Sequence, residues 1–305
     1  MSTTQTDSSF DQACRVLREQ GEQTLQSLAQ KLNLPQAKAA SIMQIAIGNG
    51  AVVYDEVTDK YRVCAEYEYA LLMRVGLHNV QYEVRDWTNT RRSGGIVHVS
   101  HAEVIAQIRQ LVARMVLLYP QLRKCAIAMP CVMSDGVIVD WAKNPSWNGT
   151  ELKRLIQSET PIEVSVENDM KVLASGARRT YRSHTLESAA VVCVDRKTYG
   201  VGLIAQGKVF AGKNGFAGEI AYLPLYLRCH NPARTAIRII RVLAGVFAPH
   251  EVLLYLPDRY RERVVRVLKK TLPYGAMPVL IGCADPLQDM FCGLAAMCGY
   301  PCDAE

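Results

Sequence analysis

Apolar positions near the start of the chain recur at helical spacing in three consecutive runs, which polar and glycine breaks separate. The first run covers residues 10–20 and stops at Gly21. Thr24 is suited to cap the second helix and Pro35 to open the third, which continues to about residue 47. Two short strand-like runs, at 52–54 and 61–63, then enclose a polar tip. The pattern predicts three helices followed by a β-hairpin.

This order is that of a winged helix-turn-helix, which we predict for residues 1–64. A recognition helix contacts base edges through its N-terminal residues, and the wing reaches the backbone. The expected DNA-binding residues are Gln36, Lys38 and Ser41 on the third helix and Arg62 on the wing. Phosphate neutralisation dominates DNA affinity, and Lys38 is the one charged residue at the start of the helix. A winged helix that contacts protein is therefore the alternative.

From residue 65 onward, buried strand-like runs alternate with amphipathic helical runs, which predicts a mixed α/β body. Ser100 and Glu103 have the spacing of a capping box, and they precede a long helix whose apolar stripe begins at Val104. A last helix is predicted from about residue 286 to 298. The predicted strands are 69–75, 80–87, 124–129, 162–166, 189–194, 251–256 and 278–282.

Composition is that of a globular protein. The 305 residues are 49% apolar and 21% charged, and no apolar run approaches the roughly 20 residues that cross a bilayer. The polar start lacks the basic and apolar segments of a secretory signal, which favours the cytoplasm and no membrane partner. The ten cysteines are scattered without metal-ligand spacing, and we interpret them as reduced thiols.

Charge is distributed unevenly along the chain. The net charge is +6, but residues 1–64 carry six Lys or Arg against seven Asp or Glu, so the remainder carries +7. A mildly basic body is a weak indication of an anionic partner. Arg234, Arg238 and Arg241 recur along one side of a predicted helix. They fit a solvated face, and an anionic partner is the alternative.

Candidate chemistry is concentrated between residues 167 and 222. Asn168 and Asp169 stand at the start of a predicted helix, directly after a buried strand. Such a pair can serve only as a cap, because both side chains accept bonds from the first amides of a helix. Further along, a strand, a turn and a second strand lead into a glycine-rich loop that ends at Gly218-Glu219.

The two pieces in this order resemble the ROK family of sugar kinases and sugar-responsive repressors. The resemblance implies a two-lobed, actin-like (ribonuclease-H-like) α/β body over residues 65–305, with lobe one at about 65–185 and lobe two at about 186–305. Asn144-Pro145-Ser146-Trp147 is similar to the family's Asn-Leu-x-Trp, although Trp147 fits core packing equally well. The resemblance implies that effector binding would fall to Asn144, Asn168, Asp169, Glu219 and Tyr222.

The family's nucleotide-binding motifs are altered in this chain. The first phosphate loop, Asp-x-Gly-Gly-Thr, falls on residues 74–78, where Arg74 replaces the Asp and Leu77 a glycine. The second phosphate loop begins at residue 196, where Arg196 and Thr198 replace glycines. Glycines let backbone amides approach phosphate, and an acid holds the metal. The sequence therefore predicts no nucleotide cofactor and no kinase activity.

The family's zinc loop is also reduced. Cys229 and His230 are the ligand types that remain there, and Tyr222 stands where the family has a His. Two adjacent ligands do not make a tetrahedral zinc site, so no metal is expected. The sequence thus predicts a non-enzymatic transcriptional repressor that binds operator DNA and a sugar or amino sugar as a dimer or higher homo-oligomer. A protein-interaction scaffold is the alternative, and an active sugar kinase a remote one.

Overall fold

Three helices and an antiparallel hairpin open the chain in the computed structural model, which describes residues 3–100, 102–181, 188–195, 198–223 and 231–302. The helices are α1 (Thr3–Gln20), α2 (Leu25–Lys31) and α3 (Gln36–Gly48), and the hairpin is β1 (Val52–Asp55) with β2 (Lys60–Val63). Thr24 caps α2 by accepting a bond from the Ser27 amide at 3.3 Å. The predicted elements are confirmed, and α1 begins earlier than predicted because its polar first turns have no apolar spacing.

Lobe one is a five-stranded sheet with its helices. Its strand order is β5-β4-β3-β6-β9, in which β3, β6 and β9 run parallel and the first two strands are antiparallel neighbours. A small hairpin, β7 with β8, projects beyond it. The elements are β3 (Tyr69–Val75), β4 (Asn79–Asp86), β5 (Arg91–His98), α4 (Val104–Leu118), β6 (Leu122–Met129), β7 (Val132–Ser134), β8 (Val137–Asp140), α5 (Leu152–Gln157), β9 (Glu163–Asn168) and α6 (Asp169–Thr180).

Lobe two repeats this arrangement. Its sheet has the order β12-β11-β10-β13-β14, again with two antiparallel neighbours on one side and parallel strands on the other. The repeated order is the two-lobed, actin-like α/β arrangement expected for the body. The elements are β10 (Ser188–Val194), β11 (Tyr199–Ala205), β12 (Lys208–Val209), α7 (Pro232–Val246), β13 (Glu251–Tyr255), α8 (Asp258–Thr271), β14 (Val279–Cys283) and α9 (Pro286–Met297).

Helices α6 and α9 cross between the lobes with their backbones in contact. Each follows the last strand of one sheet and packs on the other sheet, α6 on β10 and β11 and α9 on β3 and β6. Glycine permits the close approach: a Cβ on Gly176 would lie 1.7 Å from the Asp289 carbonyl oxygen, and one on Gly293 would lie 2.1 Å from that of Val172. The two lobes are therefore in direct backbone contact where α6 and α9 cross.

The N-terminal helices share a core with the body. One hydrophobic cluster includes Leu17 of α1 and continues into β3, α6 and α9. At this junction the Arg18 guanidinium stacks 5.1 Å from the Trp87 ring and 5.9 Å from the Tyr300 ring. Burial lowers the pKa of Arg18, and the nearby Glu68 carboxylate opposes that shift. The first three helices are thus packed onto the body.

Two sequence predictions were wrong in detail. Strand β5 was not predicted, because it is an edge strand with an exposed face and contains Gly94 and Gly95. The capping box at α4 does not form, because Ser100 Oγ bonds the Glu103 carboxylate at 3.1 Å and the helix begins only at Val104. No helix in the described part of the chain is long and apolar enough to cross a membrane.

Candidate functional site

Asn168 lies where β9 of lobe one ends and α6 begins. Its side-chain oxygen accepts bonds from the amides of Met170 and Lys171, at 3.0 and 3.1 Å, so it caps the helix. Its side-chain nitrogen donates to the Cys131 carbonyl oxygen at 3.0 Å and to Glu219 Oε1 at 3.3 Å. The capping role is therefore real, and the same amide also joins lobe one to the loop that carries Glu219.

Lys171 of α6 also binds that loop. Its side chain is only 3% exposed, and its ammonium donates to the Gly215 carbonyl oxygen at 2.8 Å and lies 3.6 Å from Glu167 Oε1. Gly215 has φ +81°, and a Cβ there would lie 2.0 Å from the Met133 carbonyl oxygen of β7. The loop of residues 210–223, which we term the bridging loop, is thus seated on the β7–β8 hairpin of lobe one.

Tyr222 closes the far end of the bridging loop. Its hydroxyl donates to Asp140 Oδ2, while Asn148 Nδ2 donates to Asp140 Oδ1 at 3.1 Å. The hydrogen bond raises the pKa of Tyr222 to about 12. The Phe216 ring meets the Tyr222 ring edge to face at 5.6 Å. Both rings are substantially exposed, so they form an aromatic surface at the end of the bridging loop, from which the phenol reaches the hairpin.

Two carboxyl groups, those of Asp169 and Glu219, have raised pKa values. They lie with Asn168 at the junction of lobe one and the bridging loop, which we term the cleft. Burial raises the pKa of Asp169 to about 6, although the Arg74 guanidinium acts in the opposite direction. Burial also raises the pKa of Glu219 to about 6, with a further contribution from the Asp169 carboxylate and an opposing one from Lys171. Both groups therefore keep their protons to a higher pH than ordinary carboxyl groups do, because removal from water disfavours the carboxylate and, for Glu219, the like charge of Asp169 adds to that effect.

Arg74 occupies the phosphate-loop position on β3. Its guanidinium donates to Gln81 Oε1 on β4 at 3.0 Å. Its charge acts on Asp169 of lobe one and on Cys193 of lobe two, so it lies near the junction of the two lobes. The next turn is closed internally, because the Gly76 amide donates to the Asn79 carbonyl oxygen at 2.7 Å. The Gly76 amide is thus bonded within its own turn, and an arginine stands where the motif has an acid.

At the second phosphate-loop position, Asp195 and Thr198 are bonded to each other. The Thr198 amide donates to Asp195 Oδ1 at 2.7 Å, and the Asp195 amide donates to the Thr198 carbonyl oxygen at 3.0 Å. Arg196 and Lys197, which lie between them, are outside the described residues. The amide of Thr198 is therefore already bonded to Asp195.

The structure brings some of the predicted effector residues together. Asn168, Asp169 and Glu219 form one group, while Tyr222 stands at its rim. Asn144 lies in the loop after β8, where its amide oxygen accepts a bond from Ser146 Oγ at 3.1 Å. Trp147 packs at the edge of the lobe-one core.

Sequence reasoning missed Lys171, Asp140 and Cys131. Lys171 carried a usable signal, because it follows the Asn168 cap by three residues and so faces the same first turn. The partners Asp140 and Cys131 had none, because the β7–β8 hairpin meets the bridging loop only through the tertiary fold. Among the residues that the structure describes, no three His, Cys, Asp or Glu are grouped to hold a metal, and Cys229 and His230 lie outside them.

The predicted DNA-binding residues are exposed on α3 and on the hairpin. Gln36, Lys38 and Ser41 are exposed on α3, although the Ser41 hydroxyl donates back to the Ala37 carbonyl oxygen at 3.0 Å. Arg62 is exposed on β2. The hairpin tip itself is acidic, with Asp55, Glu56 and Asp59.

Comparison with known proteins identifies a family and several curated relatives. The model of the ROK family matches residues 73–235, which is more than half of the chain. Over 116 residues the chain is 30% identical to the DNA-binding transcriptional dual regulator NagC of Escherichia coli K12. That stretch covers 37% of this chain and only 28% of the regulator. The chain therefore spans less than a third of the length of the curated relatives it matches.

Two solved structures illustrate the similarity in fold. A ROK family transcriptional regulator, a homologue of the E. coli MLC protein, superimposes with a TM-score of 0.68 and 14% identity, covering 95% of this chain and 98% of its own. A ROK family glucokinase from Streptomyces griseus, solved with glucose and AMPPNP, gives a TM-score of 0.57 and 14% identity, covering 75% of this chain and 98% of its own. The regulator structure thus covers a larger share of this chain than the kinase structure does.

Proposed function

This chain belongs to the ROK family, and we propose that it is a DNA-binding transcriptional regulator whose body binds a sugar or a related metabolite. The observation that carries the proposal is the share of this chain that each solved structure covers. The regulator fold extends over 95% of this chain, whereas the glucokinase fold, which is itself matched almost completely, extends over 75%. The difference corresponds in size to the N-terminal helices and hairpin, so the chain has the organisation of a regulator.

We infer that residues 1–64 act as a winged helix-turn-helix. In this proposal α3 enters the major groove with Gln36 reading a base edge, Lys38 binding a phosphate or guanine, and Ser41 close to the backbone. Arg62 on the hairpin reaches the neighbouring backbone. Paired half-sites multiply the few contacts that one such unit makes, so a homodimer is expected. Regulation as a repressor follows the N-acetylglucosamine repressors to which the chain is similar.

The body is proposed to have no phosphoryl-transfer activity. A metal-bound nucleotide needs free backbone amides, a metal-binding acid and glycines at the phosphate loops. Here Arg74 replaces the acid, and the amides of Gly76 and Thr198 are already hydrogen-bonded. Without a phosphoryl donor, Asp169 has no transfer reaction to assist. Phosphorylation of glucose or N-acetylglucosamine with ATP and magnesium at about 1 per second would contradict this proposal.

The cleft is proposed to bind the effector through Asn144, Asn168, Asp169, Glu219 and Tyr222. Carboxyl and amide groups exchange hydrogen bonds with vicinal hydroxyls, and the exposed Phe216–Tyr222 ring pair offers an apolar surface. Both polar atoms of the Asn168 side chain are already bonded, so a ligand must replace Glu219 as its partner. Effector binding would therefore compete with one of the bonds that join the two lobes.

Such competition suggests how the effector changes DNA binding. A ligand shifts an equilibrium only by its different affinity for the two states. Displacing Glu219 from Asn168 weakens the contact between the bridging loop and lobe one, and the N-terminal helices share a core with the elements behind that contact. We expect the relative position of paired N-terminal units to differ between the two states.

Selection of bound fragments from genomic DNA tests the DNA-binding proposal. The full chain should enrich a defined sequence, and Lys38→Ala should weaken its binding and lower the salt slope by about 1. Lys208→Ala, an exposed lysine on β12, is the matched control and should leave binding unchanged. Failure of the wild type to enrich any fragment would favour a protein-interaction scaffold.

Calorimetry against a panel of sugars and sugar phosphates tests the effector. Glu219→Gln should change the affinity for any binder, because the ligand meets this side chain directly. Glu151→Gln, whose carboxylate pairs with Arg154 on the surface, is the control. A binder that is indifferent to Glu219→Gln would place the effector outside the proposed cleft.

A further inference from the structure

The outer face of lobe two is formed by α7 and α8, which lie side by side on one face of the sheet. The buried sides of both helices meet β10 and β13 in a single core cluster. Val264 and Leu268 are the fully buried anchors of α8, and Ile239 and Ile240 are among those of α7. The opposite sides of both helices face solvent.

Those solvent faces carry a dense group of cations. Helix α7 contains three arginines and no acid, and α8 contains six cations and two acids, so the pair has seven more positive than negative charges. This equals the whole excess of the body, since residues 65–305 carry +7. The exposed members, which we term the basic surface, are Arg234, Arg241, Arg259, Arg263, Arg266, Lys269 and Lys270.

Little in the folded chain neutralises the basic surface. Arg261, by contrast, is used internally, because it pairs with Asp258 at 2.9 Å and donates to two carbonyl oxygens. No member of the basic surface forms an ion pair with another described residue, although Arg259 stacks on Tyr260 at 4.8 Å. The two acids of α8 are Asp258, which pairs with Arg261, and Glu262, which is exposed three residues after Arg259 and four before Arg266.

The spacing on α8 makes these cations repel one another. Arg259 and Arg263 are four residues apart, as are Arg266 and Lys270, and like charges at this spacing destabilise a helix. The helix dipole favours Lys269 and Lys270 in the last turn but not Arg259 in the first. Folding alone therefore does not account for this arrangement, whereas a polyanionic partner would relieve it.

Duplex DNA is the polyanion that fits best, and this identification rests on the proposed function. Five of the seven cations are arginines, whose planar fork suits phosphate oxygens. Helix α8 is about 21 Å long, which matches several successive phosphates of a duplex. Residues 1–64 carry −1 and an acidic hairpin tip, so they supply little of the phosphate neutralisation that DNA affinity requires.

We propose that the basic surface of α7 and α8 is a second DNA contact, which binds the phosphates of a duplex independently of base sequence. An anionic membrane fits less well, because the largest aliphatic side chain of α8, Leu268, is fully buried with Val264 in the core of lobe two, and the exposed residues of α8 are polar or charged apart from Pro257 at its N-cap. The basic surface supplies affinity, and α3 supplies sequence preference.

The test uses the full chain and a random-sequence duplex of about 40 base pairs, with binding followed by fluorescence anisotropy over a salt series. The variant replaces Arg263, Arg266, Lys269 and Lys270 by glutamine. It should lower affinity about tenfold at moderate salt and reduce the salt slope by about 2 to 3, since each phosphate contact contributes about 0.9. Replacement of the two arginines by lysine should retain binding.

The control removes the same charge from lobe one by glutamine substitutions at Arg114, Arg123, Lys143 and Lys153, all of which are exposed. It should change affinity less than twofold. Melting temperatures of both variants verify that the fold is kept. If the basic-surface variant and this control behave alike, the inference is overturned, while enrichment of a defined sequence by the wild type would leave the proposed function standing.

A different result would support the second DNA contact and contradict the proposed regulatory function. Random duplexes that bind wild type but not the basic-surface variant, with no sequence enriched, would support the second contact and contradict the regulator. If the wild type binds no duplex, both are overturned. Binding to vesicles of phosphatidylserine and phosphatidylcholine in place of DNA would overturn DNA as the partner of this surface.

Discussion

Replacement of Asp169 by asparagine should stabilise the protein at high pH and have little effect at low pH. The carboxyl has a pKa of about 6 in the folded chain against an ordinary value of 3.8, because it is buried in the cleft. A group whose pKa is raised on folding favours the folded state below its unfolded pKa, and this contribution is lost as pH rises through the folded value. Asparagine keeps the shape and one acceptor oxygen but carries no charge.

The shift sets the size of the effect. We compare the free energy of unfolding of the variant with that of wild type. Linkage predicts that the difference between them changes by about 2 kcal/mol from about pH 4.5 to about pH 8. Wild type should lose this amount relative to the variant as pH rises, chiefly between about pH 5 and 7. Because the Asp169 carboxylate adds to the effect of burial on Glu219, the substitution should also lower the pKa of Glu219.

Urea unfolding of wild type and variant at four or five pH values measures the difference directly. Asp11→Asn on the exposed side of α1 is the matched control, since no burial is relieved there. A variant whose stability differs from that of wild type by the same amount at every pH would refute the reasoning, because it would mean that the ionisation of Asp169 is not linked to folding. A variant that gains stability only at low pH would reverse the sign and refute it as well.

Three further outcomes follow from the packing. Gly176→Ala should destabilise by about 1–3 kcal/mol or more in thermal unfolding, because its Cβ meets backbone at the α6–α9 crossing, whereas Gly245→Ala in α7, with nothing within 4 Å, should be neutral or stabilising. Tyr222→Phe removes the bond to Asp140 and should speed proteolytic cleavage of the bridging loop about 3- to 10-fold with little change in melting temperature. Trp87→Ala should cost about 3–5 kcal/mol, and a single calorimetric transition is expected because that ring belongs to the shared core.

Local signals predicted most of the elements. Thr24, Gly21 and Pro35 mark the ends of the first three helices because capping and glycine or proline geometry act within a few residues. Strand β5 was not predicted from such signals. It is an exposed edge strand with two adjacent glycines, and its first half shows neither alternation of apolar and polar residues nor enrichment in β-branched residues. Its position is fixed by pairing with β4, which no local pattern reports.

The candidate site was predictable only in part, for the same reason. Asn168 and Glu219 could be singled out from their neighbours in sequence, but the bond between them spans the two lobes. The pairing of Tyr222 with Asp140 joins segments that are distant in the chain, so the phenol gave no sign of reaching the hairpin. Raised pKa values likewise come from tertiary burial and cannot be inferred from residue type.

The stacking of Arg18 between Trp87 and Tyr300 bears on how such a protein can be recombined. Exchange of the first 64 residues with those of a relative would leave both rings, which are 6% and 2% exposed, facing whatever side chain the new helix supplies. A chimera joined at that boundary would therefore fail unless the donor also brought a long cationic side chain at this position. The first 64 residues and the body are therefore expected to be inherited together, and a successful chimera would also need to include Trp87, directly after β4, and the C-terminal segment at Tyr300.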